Sequence, residues 1–114
     1  MKTSIYQAPR YLWGNHCEGW PLLETEGLVV KQESMPPGTA ERMHRHREAQ
    51  QFFYILQGQG EFRLEGQPYL LSQGEGIHVA AGLMHDIRNR SGSPLSFLVI
   101  SQPSSAQDRE NGPE

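Results

Sequence analysis

A single cysteine, Cys17, stands among these 114 residues, which excludes an intramolecular disulfide and fits a reducing compartment. As a lone thiol beside His16 it is expected to be buried and idle rather than a ligand or a nucleophile. A dominant charge is lacking too. Ten Lys and Arg against thirteen Asp and Glu give a net charge of −3, and the cations are interleaved with acids. No basic stripe offers itself to a phosphate backbone, so nucleic acid is not an expected partner. No apolar run approaches the length of a membrane helix, and the opening MKTSIYQAPRYLWG has no apolar stretch of signal-peptide length. A soluble, cytoplasmic protein with no membrane partner is expected. Helix signals are scarce, and no nucleophilic triad, phosphate-binding loop, paired acid and base or helix-turn-helix is visible.

What is plentiful is glycine, with 12, and proline, with 8, in a chain only 36% hydrophobic. That composition suits short strands joined by tight turns. The length supports one domain around one core. Residues 1–20, with Tyr6, Tyr11, Trp13 and Trp20 among Pro9, Gly14 and Gly19, are expected to form an aromatic arm packed on a barrel or on a neighbouring subunit. Residues 21–102 carry about nine strand-like segments, the spacing of an all-β barrel or sandwich. Within them Pro36-Pro37-Gly38 marks a turn, and QQFFYIL with EFRLEG reads as a half-buried hairpin across Gly58 and Gly60. From Pro103 the tail PSSAQDRENGPE has nothing apolar to bury and is expected to be mobile.

Four side chains point to a metal. His44 and His46 are two apart, so on a strand both imidazoles project to the same side, at a separation one cation bridges. Gln51 opens the next strand, where a period of two puts Gln51, Phe53 and Ile55 on one face and Phe52, Tyr54 and Leu56 on the other. If both faces turn inward, three ligand atoms come from two adjacent strands. His85, sharing a face with Ile87 and Asn89, then closes the site from far along the chain. Four protein ligands leave room for water or substrate on a six-coordinate ion. Glu48 continues the parity of His44 and His46 and is the alternative ligand, although a residue in that connection more often pairs with Arg45 or Arg47. His78, between Ile77 and Val79, is expected to face outward.

From Gly38 to Asn89 the chain resembles a cupin. The first cupin motif runs Gly, five residues, His, any residue, His, three or four residues, Glu, six residues, Gly; Gly38, His44, His46, Gln51 and Gly58 fall in its places. The second runs Gly, five residues, Pro, any residue, Gly, two residues, His, three residues, Asn, matched by Gly74, Ala80, Gly82, His85 and Asn89. The resemblance implies a double-stranded β-helix, a jelly-roll barrel, with a homodimer and one divalent transition-metal ion, Zn, Ni, Fe, Mn or Cu. Two places depart from the pattern. Ala80 replaces the proline of a turn, and Gln51 replaces the glutamate ligand. With three neutral imidazoles, a carboxylate leaves a divalent ion about +1 of uncompensated charge, and an amide leaves about +2. That tilts selection toward Zn, Ni or Cu and raises the Lewis acidity of the site.

Phe53, Ile55 and Ile87, with Gln32 as a polar anchor, are the expected pocket walls, giving a mostly apolar cavity for a small, partly apolar ligand. Two functions fit. One is a metal-binding barrel that holds a small molecule; the other is a metal-dependent enzyme, a dioxygenase or an isomerase or cyclase. A structural metal staple is disfavoured, because such sites are usually closed by tetrahedral ligation.

Overall fold

Backbone pairing defines the strands, and burial alternates along several of them. The computed structural model describes residues 1–113. Twelve strands follow one another: β1 (Tyr11–Trp13), β2 (Cys17–Glu24), β3 (Val29–Met35), β4 (Thr39–Ala40), β5 (His44–His46), β6 (Gln50–Gln57), β7 (Gln59–Leu64), β8 (Gln67–Ser72), β9 (Gly76–Val79), β10 (His85–Asn89), β11 (Leu95–Gln102) and β12 (Arg109–Asn111). They form two sheets. One has the order β1-β2-β3-β11-β6-β9, the other β12-β5-β10-β7-β8 with β4 added beside β10. Together they make the expected jelly-roll barrel, all-β throughout the described residues. Among the described residues no helix is long and apolar enough to cross a membrane.

The core lies between the sheets. Met35, Phe53, Ile55, Phe62, Leu71, Val79, Ile87, Leu95, Phe97 and Val99 form one buried cluster with Cys17. On β6 and β11 every second residue points inward, so Phe53 and Ile55 meet Phe97 and Val99 across the paired strands. Burying such a side chain stabilises the fold by roughly 1.5–3 kcal/mol.

Two glycines decide the path of the chain. At Gly58 (φ +83°) the strand turns from one sheet into the other so closely that a Cβ would lie 2.4 Å from the Pro94 carbonyl oxygen. QQFFYIL and EFRLEG are therefore not the two arms of a hairpin: β6 pairs with β11 and β9, and β7 pairs with β8 and β10. The hairpin lies one step later, between β7 and β8, where Glu65 and Gly66 both take positive φ, as a two-residue primed turn requires.

Both ends of the chain join the barrel. The expected arm contributes β1 and the start of β2 to a sheet edge, with the Tyr11 hydroxyl donating to Glu33. The segment from Pro103 is not the loose tail its polarity predicts. β12 pairs with β5, the Gly112 N–H donates to the Met43 carbonyl, and Asp108 is 8% exposed. Its anchors are hydrogen bonds rather than apolar burial, which is why composition did not reveal them.

Candidate metal centre

β5 is only three residues long, and its neighbours fix it. His44 is the register partner of His85 on β10, and His46 the partner of Arg109 on β12. The two histidines of β5 point inward while Arg45 points out to Glu110 at 2.8 Å. Ring centroids are 4.4 Å apart for His44 and His85, 5.0 Å for His44 and His46, and 6.0 Å for His46 and His85. One ligand nitrogen from each ring lies within 4.8 Å of the other two.

The hydrogen bonds identify those nitrogens. His44 Nδ1 meets the Arg42 carbonyl at 2.8 Å, His85 Nδ1 meets the Leu83 carbonyl at 2.9 Å, and His46 Nδ1 meets Asp108 Oδ1 at 2.8 Å. Each partner only accepts, so each Nδ1 carries the proton and donates it, leaving a lone pair on every Nε2. Burial, with His85 nearby, pushes His44 down to about 3, and burial pushes His85 down to about 4. Burial also lowers His46, although Asp108 opposes it. Three neutral imidazoles with free Nε2 atoms are the donor set of a borderline divalent ion.

Gln51 comes from the facing sheet. It is buried, and its Nε2 donates to Ser101 Oγ at 2.9 Å. Its Oε1 then faces His85 Nε2 at 3.1 Å. With the His85 proton on Nδ1, these are two acceptors pointing at one another, an arrangement that a cation between them satisfies. Strands β5 and β6 are consecutive but belong to opposite sheets, so the four side chains converge across the barrel rather than along two adjacent strands. Glu48, by contrast, is exposed; what it brings to the site is its backbone N–H, donated to Asp108 Oδ2 at 3.0 Å. His78 faces outward and bonds Gln50.

Next to these side chains lies a cavity of about 250 Å³, lined mainly by polar groups: Lys31, Glu33, Glu41, Ser101, Ser105 and Arg109 accompany His44, His46 and Gln51. Of the four expected pocket residues only Phe53 reaches it, with Val99 beside it. Ile55 and Ile87 are fully buried in the core. Gln32 has the wrong parity: on β3 the core residues Val29 and Met35 share a face with Lys31 and Glu33, which places Gln32 on the other side. The apolar pocket is thus corrected to an ion-rich one. β3 has polar residues at both parities, so its alternation gave no sign of which face turns inward.

Two functional candidates escaped the sequence reading. Glu41 is 13% exposed, 3.8 Å from His44 Nδ1, and its Oε1 has no hydrogen-bond partner among the described residues. Burial and the neighbouring Glu33 push it up to about 8. Asp108 has the opposite environment. Burial would raise it, but the backbone N–H groups of Ala49 and Glu48, together with His46, hold it below the usual carboxylate range. Neither lies at a motif position, and no local pattern ties Asp108 to a histidine 62 residues earlier.

The family model described as a cupin domain matches residues 31–101. Among curated proteins, the oxalate-binding protein of Thermotoga maritima is 30% identical over 78 residues, covering 68% of this chain and 64% of that protein. The chain spans still less of the other curated relatives it matches. Among solved structures, a predicted oxalate decarboxylase of T. maritima superposes with a TM-score of 0.84 at 22% identity, over 91% of this chain and all of that one. An uncharacterized conserved protein with a double-stranded β-helix domain from Klebsiella pneumoniae subsp. pneumoniae gives 0.83 at 20%, over 99% and 97%. At these identities the structural likeness is one of fold.

Proposed function

We propose that this chain, which belongs to the cupin family, binds one divalent transition-metal ion on His44, His46, His85 and Gln51 and holds a small molecule in the adjoining cavity. The observation that carries this reading is the geometry of three buried imidazoles: each Nδ1 meets an acceptor, which leaves Nε2 for an ion, and one ligand nitrogen of each ring lies within 4.8 Å of the other two. A bound ion would supply Lewis acidity, fixing and polarising an oxygen of the small molecule. With an amide in place of the family carboxylate, Zn, Ni or Cu is favoured over Fe or Mn. Elemental analysis of the purified protein, followed by titration of stripped protein with each metal, tests the reading. One ion per chain, lost in a His44→Ala, His46→Ala double variant, is expected; wild-type protein that binds no ion would overturn it.

A second reading, a metal-dependent isomerase or cyclase, is favoured by Glu41. Glu41 lines the same cavity, its Oε1 has no hydrogen-bond partner among the described residues, and a carboxyl group beside a bound molecule serves to move a proton. Turnover lost in Glu41→Gln with metal affinity retained would support an enzyme. Retention of both would count against it.

The homodimer is also proposed. Phe52, Tyr54 and Leu56 are between 36% and 39% exposed on the outer face of β6. Ile100 and Leu98 of β11 lie beside Phe52 and Tyr54 in register, so the outer face is an apolar strip of the kind a second subunit covers. Light scattering at micromolar concentration should give twice the chain mass. A monomer would reject the dimer.

A further inference from the structure

The cavity's charge singles out a class of ligand. Lys31 enters from β3, in the sheet facing the histidine strands. Arg109, the register partner of His46, emerges on the same face of its sheet as that imidazole. Among the described residues neither cation makes a salt bridge, although both act through space on Glu33 and Arg109 also acts on Glu41. The Lys31 ammonium lies over the Tyr11 ring, 5.5 Å from its centroid, and the Arg109 guanidinium bonds only neutral oxygens, Asn111 Oδ1 at 2.9 Å and the Arg42 carbonyl at 3.4 Å. Two acids share the space: Glu33, which accepts from the Tyr11 hydroxyl, and Glu41. Even with both ionised they offset only the two cations, and with the Asp108 carboxylate bonded to His46 counted as well, an ion held by neutral ligands leaves about +1 in excess.

We infer that the small molecule is an anion carrying at least one carboxylate, and that Arg109 and Lys31 are the residues that select it. The inference rests on the metal-binding reading and gives its ligand a class. A carboxylate suits both anchors: a guanidinium offers it a two-pronged donor and an ammonium a point charge. Arg109 stands on β12, in the segment that also supplies Asp108, so one stretch of chain orients a histidine with one side chain and reads the ligand with the next.

Calorimetric titration of zinc-loaded protein with malonate, its neutral diamide malonamide and inorganic phosphate tests the inference. Wild-type protein should bind malonate and not malonamide. Arg109→Gln and Lys31→Gln should each weaken malonate about tenfold or more, while Arg109→Lys should recover part of the loss. Zinc affinity and melting temperature, measured on the same samples, show that each variant remains folded and loaded. Malonamide binding as well as malonate, phosphate binding in preference to malonate, or malonate affinity unchanged in both Gln variants would overturn the inference and leave the metal site standing. Failure of the wild type to take up zinc, nickel or copper would remove the metal reading itself.

Discussion

Replacing Asp108 by alanine removes three contacts at once. Oδ1 accepts the Nδ1 proton of His46 at 2.8 Å, and Oδ2 accepts the backbone N–H groups of Glu48 at 3.0 Å and Ala49 at 2.9 Å. The first contact sets the tautomer of His46; the other two hold the turn that carries the chain from β5 to β6. Losing an outer partner of a metal-bound histidine costs about 10–100-fold in metal affinity, or roughly 1.4–2.7 kcal/mol. The fold should suffer separately. Hydrogen bonds to a charged group contribute roughly 1.5–3 kcal/mol each, so losing the two that hold the turn should cost the metal-free Asp108→Ala protein about 3–6 kcal/mol. Asp108→Asn should fall in between, because its one remaining oxygen serves either His46 or the turn. Competition with a chromophoric chelator gives the metal affinity, and urea unfolding of the stripped protein gives the stability. If Asp108→Ala is folded and holds zinc within about twofold of wild type, Asp108 does not orient His46 and is merely a structural clamp.

Three further outcomes are expected. Gln51→Glu restores a carboxylate and should tighten Mn(II) or Fe(II) about tenfold, while Glu48→Ala should leave metal affinity unchanged; a loss confined to Glu48→Ala would reassign the fourth ligand. The metal-free protein should weaken in mild acid. His44 and His85 are held at about 3 and about 4, below the unfolded imidazole near 6.5, so the unfolded chain takes up protons that the native state refuses, and stability falls as pH drops below about 6.5. At pH 5 each should cost about 2 kcal/mol; equal urea midpoints at pH 5 and pH 8 would show that the rings are solvated. Gly58→Ala places a Cβ 2.4 Å from the Pro94 carbonyl at φ +83° and should destabilise by more than about 2 kcal/mol. A melting temperature unchanged from wild type would mean that the corner relaxes freely.

β6 and β11 were legible as runs of β-branched and aromatic residues bounded by turn residues, and burial along both alternates with a period of two. The histidines were legible because spacing on a strand fixes which side chains share a side. What the sequence concealed depends on contacts between distant segments. β3 carries Lys31, Gln32, Glu33 and Ser34 in succession, so its inward face is decided by pairing with β2 and β11 rather than by hydropathy. The residues after Pro103 carry little apolar surface, so composition gave no packing signal, yet Asp108 and β12 are held by polar contacts to β5. Glu41 reads as a surface acid in a polar stretch, and only the closing of the barrel leaves its Oε1 buried with no partner among the described residues. An apolar cavity was expected because the apolar residues of the strands are those that fill the core.

Gln51 differs from a glutamate in one further respect. An amide has a donor as well as an acceptor, so with its ends reversed it would donate to His85 Nε2 and accept from the Ser101 hydroxyl. A metal-free site is then satisfied without a buried charge. A carboxylate in the same place would be left facing lone pairs. The amide therefore leaves the metal-free site satisfied where a carboxylate would not.

Anomalous diffraction from crystals of the protein grown with zinc, recorded on both sides of the zinc absorption edge, tests the shared ion most directly. A single peak within about 2.0–2.1 Å of the Nε2 atoms of His44, His46 and His85, with Gln51 Oε1 turned toward it, is the predicted result. A barrel with no peak between those rings, or with zinc only at an outward residue such as His78, would contradict it.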